Sequence, residues 1–319
     1  MVRVLRSTGA VILDSLSSVL FPTNCRVCGL PLAGFTLLPV CSSCWNDLPV
    51  QAGALCACCG EALTSGPTAE SGSRAEAVCR PCRVAPPDFE KAVAHGVYQG
   101  KLRTLLHLLK YDGMEPLAKR LGAMLAEQVI AIPDLPADLV VVPVPLFGKK
   151  RRNRGFNQSD LLARGLVAAL HHLRPDLKVE LAAALLVRRR ETKSQAGLNP
   201  HERRANVRGA FFVPRPETLK GRNALLVDDI YTTGATARAC STALRRAGAA
   251  SVWVATVARA QIEFMQETED GHLRAAAEPE LPMEEDFTFW EEGPSHPITP
   301  KIGAMGALDP PVSTGGIAR

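Results

Sequence analysis

Aromatic residues and long apolar runs are both scarce in this chain of 319 residues. Aromatic side chains make up 5% of the sequence, although hydrophobic residues as a whole make up 46%. This balance is ordinary for an α/β protein with a core of Ala, Leu and Val. Few aromatics argue against a platform that stacks nucleic-acid bases. No apolar run approaches the roughly 20 residues that a membrane-spanning helix needs, so we expect no membrane insertion.

The charge is distributed unevenly along the chain. The net charge is +5, yet residues 261–319 carry 12 acidic and 3 basic side chains, whereas residues 1–260 carry 34 basic and 20 acidic ones. A basic body suggests phosphate-rich ligands or nucleic acid, and the alternative is a basic surface that serves solubility. Residues 261–319 show no sustained hydrophobic period, so we expect a disordered acidic tail.

Cysteine is abundant, with ten residues, of which eight form four C-x-x-C pairs. The first two pairs are 12 residues apart and the last two are 19 residues apart, spacings that suit zinc ribbons. Each pair predicts a tight turn that presents two thiolates to a tetrahedral zinc ion. We expect two structural zinc sites, one held by Cys25, Cys28, Cys41 and Cys44 and the other by Cys56, Cys59, Cys79 and Cys82.

Other interpretations of the cysteines stay open. The four pairs can combine in an interleaved order, and Cys58 can replace a neighbouring ligand. Disulfides are the main rival, but nothing marks the chain as secreted, and thiols inside cells stay reduced. A redox C-x-x-C is less suitable, because we do not expect these pairs to open helices after strands. Cys240 lies alone and is interpreted as a small core residue.

The hydrophobic pattern divides the chain into three parts. We expect an N-terminal helix and double zinc ribbon at residues 1–87, an α/β domain at residues 88–260 and the tail at residues 261–319. A signal peptide is the alternative for the N-terminus, which lacks a small-residue cleavage site. Strands are predicted at residues 93–98, 139–143, 184–188, 210–213, 224–227 and 252–257, and helices at residues 101–110, 115–130, 158–172 and 235–246. This alternation predicts a doubly wound parallel sheet, which binds ligands beyond the carboxyl ends of its strands.

The most informative motif is the segment Leu225–Thr236, where a buried strand runs into two acids, a loop of small and hydroxyl residues, and a helix. Backbone N–H groups at such a helix start point outward, and the helix dipole favours an anion there. Gly234 lets the backbone approach a ligand closely. The carboxylates of Asp228 and Asp229 suit two vicinal hydroxyls or a metal that bridges to them. The motif predicts a sugar-phosphate site, and the plainer alternative is a helix cap.

Two basic segments follow predicted strands of the same sheet. Arg152 and Arg154 belong to the first, which either neutralises pyrophosphate or contacts a nucleic-acid backbone. Arg190 and Lys193 belong to the second, which suggests a loop that closes over a bound ligand. Val144, within a P-V-P sequence, lies where the strand at residues 139–143 ends. The alternative for both segments is a solvated surface loop.

The segment Val227–Thr236 resembles the phosphoribosyl pyrophosphate (PRPP) loop of type I phosphoribosyltransferases. In that family two acids hold the ribose hydroxyls, which here implies Asp228 and Asp229. The loop holds the 5′-phosphate, which here implies Thr232, Thr233, Gly234, Ala235 and Thr236. The resemblance implies a type I phosphoribosyltransferase-like fold, with a parallel sheet flanked by helices, and Mg²⁺ bound together with PRPP.

The order of motifs is similar to that of ComF-family proteins over about residues 10–260. The segments are P-V-P at residues 143–145, R-x-R-G-F-N-Q at 152–158, R-x-x-x-T-x-x-Q-x-x-L at 188–198, R-x-x-N-V-x-G-A-F at 203–211 and V-D-D-I-x-T-T-G-A-T at 227–236. The cysteine pairs and the segment Leu109–Gly113 fit that family too. The resemblance implies a bacterial, cytoplasmic protein linked to DNA uptake in natural competence.

Two functions follow from this reading. In the first, the protein transfers a phosphoribosyl group from PRPP to an acceptor, with Asp228 and Asp229 as catalytic residues. No general base stands out, although His107, His201 and Lys110 are candidates. In the second, a non-catalytic accessory protein binds PRPP or a 5′-phosphate end and handles single-stranded DNA with a helicase partner. Release of pyrophosphate distinguishes the two.

Overall fold

The structure is a computed structural model that describes residues 23–32, 36–63, 77–148, 152, 154–190 and 205–261. Four predictions lie outside these residues: the N-terminal helix, the role of Lys193, His201 as a candidate general base, and the disordered tail beyond Gln261.

The centre of the fold is a sheet of five parallel strands in the order β1-β7-β6-β2-β3. The strands are β1 (Lys91–Val97), β2 (Asp138–Pro143), β3 (Lys178–Leu181), β6 (Asn223–Tyr231) and β7 (Ser251–Arg259). The central strands are apolar on both faces, since residues 139–143 and 224–227 are all buried. Such continuous apolar runs are expected where helices cover both faces of a parallel sheet.

The helices cover this sheet from both sides. Within the described residues they are α1 (Ser42–Asn46), α2 (Arg80–Val84), α3 (Gly100–Lys110), α4 (Leu117–Ile130), α5 (Gln158–Leu173) and α6 (Ala235–Arg246). On one face α4 and α5 pack closely, because a Cβ added at Gly122 would lie 2.6 Å from the backbone nitrogen of Leu166. On the other face α6 packs through buried Cys240 and Leu244 against the alternate residues of β6 and β7. The predicted parallel α/β architecture is confirmed.

Two details of the predicted sheet were wrong. The pattern missed β3, an edge strand whose Lys178 and Glu180 are exposed, so it lacks a continuous apolar run. The predicted strands at residues 184–188 and 210–213 are instead β4 (Val187–Arg188) and β5 (Phe211–Phe212), which pair antiparallel in a separate two-stranded sheet. Apolar runs this short identify a strand but not the sheet to which it belongs.

The cysteine-rich segment runs along the free edge of β1. The backbone N–H of Ala92 donates to the carbonyl of Cys58 at 2.7 Å, and that of Val97 donates to Pro49 at 2.9 Å. A Cβ added at Gly96 would overlap the Pro49 carbonyl, so glycine permits this approach. The segment therefore covers an edge strand that would otherwise present unpaired backbone groups.

Candidate functional site

Eight cysteines form two groups of four, each with its sulfur atoms within 4.8 Å of one another. The first cluster is Cys25, Cys28, Cys41 and Cys44, and the second cluster is Cys56, Cys59, Cys79 and Cys82. This is the sequential pairing predicted above, not the interleaved one. All ten cysteines lie among the described residues, and all are free thiols. Cys58 belongs to neither cluster, and Cys240 is fully buried in the core.

The sulfur positions fit a tetrahedral metal. Zinc–sulfur bonds of about 2.3 Å place the sulfurs of a tetrahedral site about 3.8 Å apart. The Sγ atoms of Cys25 and Cys44 are 3.8 Å apart in the first cluster. Those of Cys59 and Cys79 are 3.7 Å apart in the second cluster. Four thiolates from the chain would complete the coordination shell of a metal ion in each cluster, which is consistent with two structural zinc sites.

The turns at the cysteine pairs agree with the sequence prediction, and two of the pairs also begin short helices. Gly29 and Gly60 adopt φ values of 77° and 69°, which the tight turns after two pairs require. Cys41 and Cys79 are the N-caps of α1 and α2, so two of the four pairs begin short helices. Both helices follow loops, so the strand that precedes a redox C-x-x-C is missing from the described residues next to these pairs.

The two clusters differ in burial. All four cysteines of the second cluster are buried, whereas in the first cluster Cys28 is exposed and Cys41 is half-buried. The pKa of the Cys59 thiol falls to about 5, mainly because Cys82 donates a hydrogen bond to it and also because the Arg259 guanidinium lies nearby. The thiolate, which is the form that binds metal, is therefore favoured at Cys59.

The two acids of the strand-end motif lie where β6 loses one of its neighbours. On one side, the pairing of β6 with β2 stops at Val227. On the other side, β6 continues beside β7 as far as Tyr231, so the strand is longer than the predicted 224–227. Asp228 and Asp229 thus emerge at the carboxyl end of β2, the edge at which parallel sheets bind ligands.

Asp228 faces the N-terminus of α5. Its Oδ1 accepts a hydrogen bond of 2.9 Å from the Ser159 hydroxyl. Burial raises the pKa of the Asp228 carboxyl to about 8, and the neighbouring Asp229 carboxylate contributes to the rise. Without a ligand, Asp228 is therefore largely protonated at neutral pH.

Asp229 faces the end of α3 and pairs with Lys110. Asp229 is 5% exposed, and its Oδ2 forms an ion pair with the Lys110 ammonium. Burial by itself would raise the pKa of Asp229, but Lys110 outweighs it and holds that pKa below its usual range. Burial likewise opposes the charge of Lys110, and Asp229 outweighs it, so the pKa of Lys110 is raised. A lysine that keeps its proton is a poor general base, and this ion pair argues against that role.

The loop predicted to bind phosphate, residues 232–236, joins the acids to α6 and is called the phosphate loop below. Gly234 has φ 73° and is the N-cap of α6, so the cap residue itself offers no side-chain hydrogen bond to the first turn. The first turn contains no acidic residue. The buried hydroxyl of Thr233 finds no hydrogen-bond partner within the described part of the chain. Unpaired donors at the start of a helix fit an anion such as phosphate.

Val144 and the predicted basic residues make contacts with different parts of the fold. Val144 lies at the mouth of the site, since its N–H donates to Val227 at 2.9 Å. Arg154 stacks over Tyr111, the neighbour of Lys110, at 5.4 Å. Arg152 is exposed ahead of α5. Arg190 lies beyond β4 and donates instead to the Arg208 carbonyl at 2.9 Å.

Sequence reasoning missed Ser159 and the partner of Lys110. Asn157 is the N-cap of α5, and its Nδ2 also donates to the Val144 carbonyl at 3.0 Å. A cap residue directly before a predicted helix is the available signal, because it brings Ser159 to the strand ends.

Among the helices of the described ranges, none combines the length and apolar character needed to cross a membrane.

Known proteins match both the domain and most of the chain. A family model described as the phosphoribosyl transferase domain matches residues 153–270. DNA utilization protein YhgH of Escherichia coli strain K12 is 30% identical over 241 residues, covering 73% of this chain and 95% of its own length. Competence protein F of Haemophilus influenzae is 29% identical over 231 residues, covering 69% of this chain and 96% of its own. Competence protein ComFC of Bacillus subtilis is 28% identical over 228 residues, covering 69% and 84%. Because the match to YhgH spans nearly that whole protein, the chain belongs to the ComF family and carries its phosphoribosyl transferase domain.

Proposed function

We propose that this protein binds PRPP together with Mg²⁺ at the carboxyl end of β6 and transfers the phosphoribosyl group to an acceptor. The observation that carries the proposal is the direct succession of the half-buried Asp228 and the buried Asp229, a loop whose Thr233 hydroxyl finds no partner among the described residues, and the start of α6 at Gly234. The family match to a phosphoribosyl transferase domain supports it. The names of the relatives support a role in DNA utilization or competence.

Each part of the site has a role in this proposal. The carboxylates of Asp228 and Asp229 accept hydrogen bonds from the two ribose hydroxyls. The N–H groups and hydroxyls of Thr232, Thr233 and Thr236, together with the backbone of Gly234 and Ala235, bind the 5′-phosphate.

The pyrophosphate group of PRPP requires positive charge near it. Arg154 supplies it from the mouth of the site, and Arg152, Arg190 and Lys193 supply it from the two basic segments. These cations stabilise the negative charge that develops as pyrophosphate departs. Mg²⁺ bound with PRPP adds to that stabilisation.

The cysteine clusters hold structural zinc in the same proposal. Sulfur separations of 3.7–3.8 Å are those of a four-thiolate site. Metal analysis of reduced protein should find two Zn²⁺ per chain. The cytoplasm is the proposed compartment, because free thiols persist where thiols stay reduced. The proposed units are the zinc module (1–87), the phosphoribosyltransferase-like domain (88–260) and the acidic tail (261–319).

Calorimetric titration of PRPP with Mg²⁺ tests the binding site. The double variant Asp228→Asn/Asp229→Asn loses two hydrogen bonds to a charged group, each worth about 1.5–3 kcal/mol. We expect affinity to fall roughly a hundredfold or more, at about 1.4 kcal/mol per decade. The matched control is Asp176→Asn, which changes an exposed acid just before β3 that pairs with Arg174, and it should bind as the wild type does. Equal affinity in all three proteins, or folded wild type that does not bind, refutes the proposal.

The second candidate is a non-catalytic accessory protein that binds PRPP or a 5′-phosphate end and handles single-stranded DNA with a helicase partner. The observations that favour it are the names of the relatives and the 34 basic side chains of residues 1–260. A pyrophosphate-release assay with a panel of acceptors separates the candidates. Release that depends on an acceptor supports transfer, whereas PRPP binding without release supports the accessory role.

A further inference from the structure

The second cluster contacts the α/β domain through Arg259, the last residue of β7. This arginine is 3% exposed, and its Nη2 lies 3.5 Å from the sulfur of Cys59 and pairs with the Glu61 carboxylate. No acceptor within the described ranges reaches its Nε or Nη1. A buried cation requires compensating negative charge. A dication held by four thiolates carries a net negative charge, which the second cluster would supply.

Arg259 in turn supports the phosphate loop through Tyr231. Its guanidinium lies 4.3 Å from the centre of the Tyr231 ring, a cation–π contact. Tyr231 is buried, with Phe89 edge-on at 6.4 Å. A Cβ added at Gly234 would overlap the Tyr231 hydroxyl, so the glycine of the phosphate loop rests directly on this side chain.

A second arginine connects the same cluster to the helix that follows the loop. Arg238, in the first turn of α6, places its Nη2 3.5 Å from the sulfur of Cys82. Its Nη1 donates to the Ala85 carbonyl at 2.6 Å, and its backbone N–H donates to Gly234 at 2.9 Å. The loop is therefore connected to the second cluster from both of its ends.

The first cluster has a different neighbourhood. Its Cys25 and Cys44 belong to the core on the opposite face of the sheet, together with Trp45. Arg120 of α4 stacks over the Trp45 ring at 4.2 Å. The contacts of this cluster thus lead to the helices of that face, away from α6, and provide an internal comparison.

We propose that the second cluster, when it holds its metal, positions the phosphate loop through Arg238, Arg259 and Tyr231, and that the first cluster has no such role. The inference rests on the proposed zinc and PRPP sites and assigns positioning residues to them. The thiolates hold the two guanidinium groups, which fix the start of α6 and the ring beneath Gly234. The loop is then ordered before PRPP arrives, which reduces the entropy lost on binding.

One ligand from each cluster is removed in the first test. Cys82→Ala and Cys28→Ala should each hold about one Zn²⁺ instead of two. Hydrogen exchange of the peptide that spans residues 231–237, measured without PRPP, should be about tenfold faster in Cys82→Ala and unchanged in Cys28→Ala, since opening of this segment sets its exchange rate. Equal exchange in the two variants overturns the inference.

A milder pair of variants covers the case in which Cys82→Ala does not fold. Arg238→Met removes one guanidinium, and Arg246→Met removes an exposed arginine from the last turn of the same helix. Both should retain two Zn²⁺, yet only Arg238→Met should show faster exchange of the loop and about tenfold weaker binding of PRPP with Mg²⁺. If Arg238→Met behaves as Arg246→Met does, the inference is wrong.

Tyr231→Phe tests the contact itself, because it keeps the stacked ring and removes the hydroxyl beneath Gly234. Faster loop exchange with full zinc content supports the inference, and wild-type exchange contradicts it. Exchange is measured without ligand, so it decides the inference even if wild type fails to bind PRPP. That failure refutes the proposed function alone.

Discussion

Replacement of Lys110 by methionine should destabilise the protein strongly. The change leaves the Asp229 carboxylate, 5% exposed, without the ammonium that pairs with it. Removal of one partner from a buried ion pair typically costs about 3–5 kcal/mol of unfolding free energy, because the remaining charge is uncompensated. Asp229→Asn should cost a similar amount. The double variant should recover part of the loss, with an interaction energy of about 2–3 kcal/mol between the two sites.

Urea unfolding of the wild type, the two single variants and the double variant measures this energy. The same helix provides a matched control. Lys101, at the opposite end of α3, pairs with Asp47 at 2.6 Å, but the Asp47 side chain is 80% exposed. The cycle of Lys101→Met and Asp47→Asn should show no measurable coupling, since exposed ion pairs contribute little.

Comparison of the two coupling energies tests whether burial makes the Lys110–Asp229 ion pair strong. Both pairs join a lysine of α3 to an aspartate, so burial is the main difference between them. If the buried pair shows no more coupling than the exposed pair, Lys110 does not compensate Asp229. The account of the site as two acids with different charge states would then be wrong.

Three further predictions concern the site, the metals and the tail. Asp228 has a pKa of about 8 in the folded protein and about 3.9 in the unfolded chain, so its contribution to the free energy of unfolding should fall as pH rises from 4 to 8, by up to about 1.4 kcal/mol per pH unit. The free energy of unfolding of ligand-free Asp228→Asn should lack this pH dependence, and a slope identical to that of the wild type would contradict the raised pKa. A chelator should remove the Zn²⁺ of the first cluster before that of the second, because Cys28 is exposed while the second cluster is buried, and Cys28→Ala should lack the fast phase of zinc release. A single phase of zinc release in the wild type would show that burial does not control the release rate. Deletion of residues after Gln261 should tighten DNA binding at low salt, because the acidic tail competes with polyanions for the basic body; unaltered affinity would exclude that competition.

The parts of the site that the sequence predicts well are those encoded locally. The helix at residues 235–246 was predicted with the bounds that the structure shows, because Gly234 and a strongly periodic pattern define it. The two cysteine clusters were predicted with the correct pairing, because the spacing of a C-x-x-C pair itself determines a turn. The fold class followed from the alternation of apolar strands and helices.

The parts that the sequence did not predict depend on contacts between distant segments. Ser159 and Asp228 are separated by 69 positions, and the cap residue before α5 indicates where that helix begins but not that Ser159 bonds to Asp228. The ion pair of Lys110 with Asp229 joins α3 to β6, and no local pattern in the sequence indicates that these two residues pair with each other. The contact of Arg259 with Cys59 spans 200 positions. Such contacts require the order of strands in the sheet, in which β1, β7 and β6 are neighbours although β1 and β7 are far apart in the chain.

These contacts between distant segments give the adjacent side chains of Asp228 and Asp229 different charge states. Asp228 and Asp229 are adjacent, and two ionised carboxylates at this position would repel each other and also repel the phosphates of PRPP. Lys110 compensates one charge, and burial keeps a proton on the other, so the ligand-free acids carry little net charge. An anionic ligand therefore meets a site that does not repel it, and a cation that arrives with the ligand makes the second ionisation favourable. If Mg²⁺ and PRPP bind as proposed, the proton should leave Asp228 on binding, and the affinity measured by calorimetric titration should rise with pH up to about 8; an affinity that does not change with pH would contradict this argument.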